Sequence, residues 1–387
     1  MRILHVIPTY VPAWRYGGPI IAVHGLCRAL VRRGHEVHVF TTSVDGPVDL
    51  DVPLGTPVDL DGVSVRYFAS RHLRRLYWSP PLGAALKARL PDYDLVHLHS
   101  VFLWPTWAAA RAARRAGRPY VVSPRGMLVR ALVTRKSWLA KALWIRLVER
   151  NTIRHAAAVH ATSALEREQL GRFGFALPHT EVIPNGVELE TGALSPDSSV
   201  SVPVDRPYLL FLGRVNWKKG LDRLIPALTL VPDVNLVVAG NDEENYRPVL
   251  EVLAAREGVR GRVHFVGPVY GQDKQLLLRG ALALVLPSYS ENFGNVVLEA
   301  MAAGCPAVVT EEVGLADVVR SSGAGVVTGG TPEALGIALQ RLTADAEARR
   351  AMGEKGRRIV ATDYSWDSVA SRMEALYGNI LASRPRS

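Results

Sequence analysis

The chain has 387 residues, 48% of them hydrophobic and 21% charged, and its 46 lysines and arginines exceed its 36 acids to give a formal charge of +10. That length divides into two domains of ordinary size, each able to bury a core, and no apolar run reaches the roughly 18–20 residues that span a bilayer. Two cysteines exclude a disulfide framework and read as small packed hydrophobes; the net charge calls for an anionic partner, but no nucleic-acid recognition motif accompanies it.

The first half alternates strand and helix patterns. Ile3 to Ile7 reads as a strand, too short and too strand-like for a secretion signal, so a cytoplasmic protein is expected. The loop Tyr16-Gly17-Gly18-Pro19 leads into a helix predicted over Ile20–Arg32. Its glycines let backbone approach a ligand and its helix start can face a phosphate; a plain tight turn is the alternative. Further strands are expected at 34–40, 63–68, 94–99, 119–123 and 157–161, and the third of these runs ends on His99. No Gly-x-Gly-x-x-Gly follows the first strand, so the dinucleotide fingerprint is missing.

The tract from Arg111 to Arg154 is heavily basic, with Glu149 its only acid, and carries Trp138, Leu139, Leu143, Trp144 and Leu147 in helical spacing. It reads either as a helix lying on an anionic membrane surface or as a core helix with a solvated basic face. Residues 45–60 show no recognisable pattern. Asp49/Asp51, Asp59/Asp61 and Asp92/Asp94 read as turn residues, and no metal is expected. Residues 187–206, rich in Ser, Pro and Asp, read as a linker.

The second half restarts with a strand at 208–214, a helix at 221–230, a strand at 236–240, a helix at 247–257 and a strand at 263–266. In Gly213-Arg214-Val215-Asn216-Trp217-Lys218-Lys219-Gly220, Arg214 can fork onto phosphate oxygens and Lys219 adds a point charge; a solvated basic loop is the alternative. The buried run 283–287 opens into Ser288-Tyr289-Ser290-Glu291-Asn292-Phe293-Gly294-Asn295. Phe293-Gly294 predicts a turn, Asn295 an N-cap, and Val296 to Ala303 a helix stopped by Gly304 and Pro306. Glu291 then lies in the loop and Glu299 a turn into the helix. The helix start suits a phosphate, and the two carboxylates suit sugar hydroxyls on either side of it. A last helix is expected from Asp367 to about Leu381.

The spacing Glu291-x7-Glu299, embedded in Pro-Ser-x-x-Glu-x-Phe-Gly-x-x-x-Leu-Glu-Ala-Met-Ala-x-Gly-x-Pro, resembles the donor-site motif of the family-four retaining glycosyltransferases. Gly34-His35-Glu36-Val37, Ala161-Thr162-Ser163 and Ile183-Pro184-Asn185-Gly186 are further landmarks of that resemblance. It implies an α/β GT-B fold, two Rossmann-like domains facing across a cleft: an acceptor-side domain over 1–186, a linker at 187–206 and a nucleotide-sugar domain over 207–364, with the last helix, 365–387, packing back on the first. By the same resemblance Glu291 and the backbone of Phe293, Gly294, Asn295 and Val296 face the donor sugar and diphosphate, and Glu299 accepts from ribose hydroxyls. Arg214 and Lys219 would bind the donor phosphates, with Gly17 and Gly18 against them, and backbone near Gly267 and Val269 would hold the base.

Many members carry a histidine where this chain has Arg125, in Ser123-Pro124-Arg125-Gly126-Met127-Leu128. Arginine stays protonated and cannot be a general base, so Arg125 is expected either to steady the leaving phosphate or to bind an anionic acceptor. His99 is a second acceptor-side candidate, with a packed strand-end histidine as the plainer reading. No carboxylate partner for Glu291 stands out, which favours front-face transfer with electrostatic stabilisation over a glycosidase-like route. The expected function is retaining transfer of a sugar from a nucleotide-diphosphate sugar to a hydroxyl of a glycan, lipid-linked saccharide or small molecule, in bacterial polysaccharide or glycoconjugate biosynthesis. No cofactor or metal is required beyond the donor. The alternatives are an epimerase or phosphorylase on the same fold, or a non-catalytic nucleotide-sugar binder.

Overall fold

A computed structural model describes residues 1–14, 17–129, 138–189, 206–242 and 244–383. Tyr16, most of the expected linker and the last four residues of the chain lie outside the described residues. The chain divides into two compact units, Met1–Gly186 with Trp366–Ser387, and Val187–Ser365.

The first unit contains β1 (Arg2–Val6), β2 (Glu36–Thr42), a two-stranded ribbon of β3 (Val44–Asp45) and β4 (Val48–Asp49), β5 (Pro57–Leu60), β6 (Val63–Phe68), β7 (Leu95–His99), β8 (Tyr120–Ser123), β9 (Ala158–Ala161) and β10 (Thr180–Val182). Apart from the ribbon they form one sheet, ordered β10-β9-β8-β7-β1-β2-β6-β5. Every neighbouring pair is parallel except β5 with β6. Alternate side chains go to opposite faces, so both faces need cover. Ile3, Val37, Val39, Val63 and Val65 share a core with helices Gly18–Arg32 and Trp366–Ala382. Leu4, Val6, Val96, Leu98 and Val122 share another with helices Pro80–Arg89 and Trp104–Arg115.

Residues 45–60, silent in the sequence, supply the ribbon and the antiparallel edge strand β5. Both are short, and β5 is half-exposed, so they take strand form from their neighbours rather than from an apolar run. Of the aspartates expected in turns, Asp49 and Asp59 instead lie in β4 and β5, because the neighbouring strands draw their segments into the ribbon and the sheet edge; Asp49 pairs with Arg74 at 2.9 Å, Asp59 accepts from Gly62 N and Asp94 from Arg2 N.

Helix Trp366–Ala382 belongs to this first unit although it is the last element in sequence. The Trp366 indole lies over two glycines: a Cβ on Gly25 would come within 2.3 Å of it, and one on Gly186 within 2.6 Å. Glu374 binds Arg33 at 2.6 Å and His35 at 3.2 Å, and Arg372 donates to the Val182 carbonyl.

The second unit contains β11 (Tyr208–Leu212), β12 (Asn235–Ala239), β13 (Val263–Gly267), β14 (Ala283–Leu286), β15 (Ala307–Thr310) and β16 (Gly325–Thr328), in the order β13-β12-β11-β14-β15-β16. All are parallel. The helix expected over 221–230 tightens into a 3₁₀ turn at Leu228–Leu230, just after Pro226, whose ring removes a backbone donor. Cys27 and Cys305 are both buried, and burial pushes each thiol up to about 12. Among the described residues no helix is long and apolar enough to cross a membrane.

Candidate active site

In the second unit β11 and β14 are adjacent, and the chain runs outward from each in opposite directions. Such a switch point opens a crevice at the carboxyl ends of the two strands. The loops that follow them carry Arg214 with Lys219, and Glu291. Backbone hydrogen bonds lock those loops: Tyr289 N donates to Lys218 O at 2.8 Å, Glu291 N to Glu312 O at 3.0 Å, and Gly314 N to Glu291 O at 2.9 Å. The Thr310 hydroxyl donates to Ser288 O at 2.8 Å. Held this way, Lys219 Nζ donates to Glu291 Oε2 in a tight ion pair, with both side chains partly buried. The Lys219 chain runs beside Gly213, and Arg214, the next residue, is exposed on the same loop.

The helix after Glu291 spans Asn295–Ala303, and its N-cap is Gly294 rather than Asn295. The chain must turn sharply out of the pinned Glu291 loop, and Gly294 does so at φ 95°, a region that favours glycine. Asn295 is therefore the first helical residue. Phe293 is buried, so it offers a ligand only its backbone, while Asn295 and Val296 are half-buried. Glu299, one turn on, binds Lys274 at 3.0 Å. Lys274 comes from helix Gly271–Gly280 and did not stand out in the sequence; its one signal is a place in the first turn of the helix after β13. Gly267 ends β13 with its carbonyl accepting from Gly240 N, and Val269 is half-buried in the loop beyond.

In the first unit Gly17 takes φ 66° as the N-cap of helix Gly18–Arg32. The helix begins two residues earlier than expected because Pro19 fits its first turn. Nothing lies within 4 Å of where a Gly17 Cβ would stand.

Arg125, at φ 55°, follows β8. Its guanidinium donates to Asn185 Oδ1 at 2.6 Å and to His99 Nδ1 at 3.3 Å. Burial holds its pKa down to about 10, so it remains a cation at neutral pH. The nearby Glu166 favours that charge electrostatically while accepting from Gly126 N at 2.6 Å and from Thr162 N and Oγ1 at 2.7 and 2.8 Å.

Behind Arg125 lie four buried imidazoles, and the bonds fix their tautomers. Arginine only donates, so His99 Nδ1 accepts. A neutral His99 then carries its proton on Nε2 and donates to His5 Nδ1 at 2.9 Å, which leaves the His5 proton on Nε2. In the second chain His160 Nε2 donates to Ile183 O at 2.7 Å and His160 Nδ1 faces His97 Nε2 at 3.4 Å. His97 Nδ1 accepts from the Tyr377 hydroxyl at 2.6 Å. Burial depresses all four, His5 and His160 to about 3, so they are neutral at pH 7. The ligand atoms of His5, His97 and His99 lie within 4.8 Å of one another. Both nitrogens of His97 and of His99 are already engaged, however, so the cluster is built as a hydrogen-bonded chain. His99 is fully buried and meets the surroundings through Arg125. The sequence signal for this cluster was slight: His97 and His99 share one strand face, and His5 is in register with His97.

Two doubly wound, mainly parallel sheets, one with a lysine–glutamate pair and a glycine-capped helix at its switch point, are the architecture of a GT-B glycosyltransferase. Residues 17–186 match the Glycosyl transferase 4-like domain and residues 197–359 match Glycosyl transferases group 1. The chain is 32% identical to a D-inositol 3-phosphate glycosyltransferase of Xylanimonas cellulosilytica, over 95% of this chain and 93% of that protein. It is 29% identical to an uncharacterised glycosyltransferase of Methanocaldococcus jannaschii, over 94% and 96% respectively. In fold it is similar to a sucrose-phosphate synthase from Thermosynechococcus elongatus, with TM-score 0.79 and 24% identity over 99% of this chain and all of that one. It is also similar to HepE of Anabaena in complex with UDP-glucose, with TM-score 0.76 and 20% identity over 98% of this chain and all of that one. The chain belongs to the family-four, group 1 glycosyltransferases and has their GT-B fold.

Proposed function

We propose that the protein is a retaining, metal-independent glycosyltransferase that moves a sugar from a nucleoside-diphosphate sugar to a hydroxyl of a glycan, a lipid-linked saccharide or a small molecule, in bacterial polysaccharide or glycoconjugate synthesis. The observation that carries this reading is the Lys219–Glu291 pair at the β11/β14 switch point, followed directly by the Gly294-capped helix start. Breaking the bond from the anomeric carbon to the diphosphate leaves negative charge on the phosphate oxygens. Lys219 and Arg214, with the helix start, stabilise it. The leaving oxygen takes the acceptor's proton as the new bond forms on the same face, which retains the configuration. Glu291 orients Lys219 and accepts from the donor sugar, and Glu299 with Lys274 stands one helical turn away for the ribose.

UDP-glucose is the first donor to try, because HepE is solved with it. Donor consumption should require an acceptor, survive a chelator and give product of unchanged anomeric configuration by NMR. Glu291→Ala should lose about 10²-fold or more in kcat. Wild-type turnover in that variant would refute the assignment.

A peripheral contact with an anionic membrane from the cytoplasmic side is part of the proposal. Leu139, Leu143 and Leu147 are 65, 58 and 65% exposed, spaced four apart along Trp138–Glu149, with Lys141, Arg146 and Arg150 beside them. Glu149, the sole acid of the tract, is buried, accepting from Phe102 N and Trp144 Nε1. Arg111, Arg114 and Arg115 line a pocket of about 380 Å³. Phosphatidylglycerol vesicles should co-sediment the protein and release it on Lys141→Glu with Arg146→Glu; unchanged sedimentation ends the membrane contact.

A further inference from the structure

We propose that Tyr289 is a positioning residue for the transfer, a strut that fixes Lys219 relative to Glu291. This deepens the transferase reading, and rests on it only for the effect on rate. Tyr289 lies in the loop after β14, two residues before Glu291, with its side chain partly exposed. It grips the Lys219 loop at two points. Its backbone N–H donates to Lys218 O at 2.8 Å, and its hydroxyl donates to Asp222 Oδ2 at 2.8 Å. Asp222 stands in the first turn of helix Leu221–Ala227, so Lys219 falls between the two anchors in the chain. Burial and the Asp222 carboxylate raise the phenol's pKa, so the hydroxyl keeps its proton and donates at neutral pH.

Arg223, the next residue on that helix, backs the tyrosine ring. Its guanidinium carbon lies 3.4 Å from the ring centre, and its Nη1 donates to Pro287 O at 3.4 Å. Two glycines leave room for this packing. A Cβ on Gly330 would collide with the Arg223 guanidinium, and one on Gly220 with the Pro287 carbonyl. The two loops are thus held together on both sides of Lys219. Partly exposed contacts of this kind contribute little to overall stability, and each costs side-chain freedom. What they supply is a fixed placement for a lysine and a carboxylate that lie 72 residues apart in the chain. In the proposed transfer Lys219 meets the charge that develops as the diphosphate leaves. A misplacement of about 1 Å would therefore raise the barrier while leaving donor binding nearly unchanged.

The test uses the full chain with Tyr289→Phe, which removes only the hydroxyl, and Asp222→Ala, which removes its acceptor. With UDP-glucose as donor each should lower kcat by about three- to tenfold at an unchanged donor KM, the scale of one lost hydrogen bond. The double variant should be no slower than either single one, because both cut the same bond. Amide hydrogen exchange, read by mass spectrometry, should quicken across residues 214–220 and 288–294 in all three, with urea midpoints near the wild-type value. Wild-type kcat in Tyr289→Phe, single losses that multiply in the double variant, or a loss that appears as a higher donor KM overturns the proposal. So does unchanged exchange in both loops, or a fall in kcat matched by a fall in the urea midpoint. The exchange measurement needs no turnover. Quickened loops in a protein that shows no transfer defeat only the transferase reading, and active transfer with unchanged exchange defeats only this one.

Discussion

Lys219 and Glu291 are 72 residues apart and meet because both of their loops are tied down by main-chain bonds. Replacing Lys219 by Met keeps the length of the side chain and removes its charge. The expected result is a fall of roughly 10²–10³-fold in kcat/KM, the size of one lost transition-state donor. Folding stability should change by less than about 1 kcal/mol, because a partly exposed pair contributes little to it. A rate loss matched by an equal loss of stability would mean that the pair is structural. In the proposed transfer Glu299 serves the ribose rather than the bond that breaks, so Glu299→Gln should raise KM for the donor more than it lowers kcat. Equal effects of Glu291 and Glu299 substitutions on kcat would contradict that division. Of these residues the two glutamates were legible from their spacing and Lys219 from its basic loop. Lys274 was not, because a lysine in the first turn of a helix is ordinary until its partner is known.

At the level of elements, apolar runs and turn residues placed most strands within a residue or two, as at Val63–Phe68 and Leu95–His99. The helix after Glu291 was also visible, but its cap was not: Asn295 has the chemistry of an N-cap, and the geometry of the pinned loop gave the place to Gly294. Gly294→Ala would force a Cβ into the left-handed region, 3.2 Å from Val313 Cγ1. It should cost about 1–2 kcal/mol, measured by urea unfolding, and shift Glu291 enough to slow transfer. A variant as stable and active as wild type would mean that the turn can be made another way. The Trp366 indole fills the space over Gly25 and Gly186, so Trp366→Ala should cost roughly 3–5 kcal/mol. Little or no loss in chemical denaturation would remove the helix Trp366–Ala382 from the core of the first unit.

For the molecule as a whole, the four buried imidazoles set a pH response. Their folded pKa values lie below the ordinary imidazole value of about 6.5, with His5 and His160 near 3. The unfolded chain therefore binds protons first as pH falls. The sign follows: stability from these groups is complete above about pH 6.5 and is lost as pH falls toward the folded values, by up to about 1.4 kcal/mol per pH unit for each. The urea midpoint should drop steeply between pH 7 and pH 5, with several protons taken up on unfolding. A flat profile across that range would mean that the imidazoles titrate normally in the folded protein.

The sequence by itself determined the alternation of strands and helices, the division into two α/β halves and the family motif around Glu291 and Glu299. Those features are written in residues near one another: alternating apolar positions, glycines at turns, two carboxylates eight apart. Only the tertiary structure decided the partners. Lys219 with Glu291, Lys274 with Glu299, His5 with His99 and His97 with Tyr377 join residues from 25 to 280 positions apart, and such pairs leave no local pattern. The same holds for Arg125. Its charge is plain in the sequence, but its partners Asn185 and His99 appear only once the carboxyl ends of the strands are brought together.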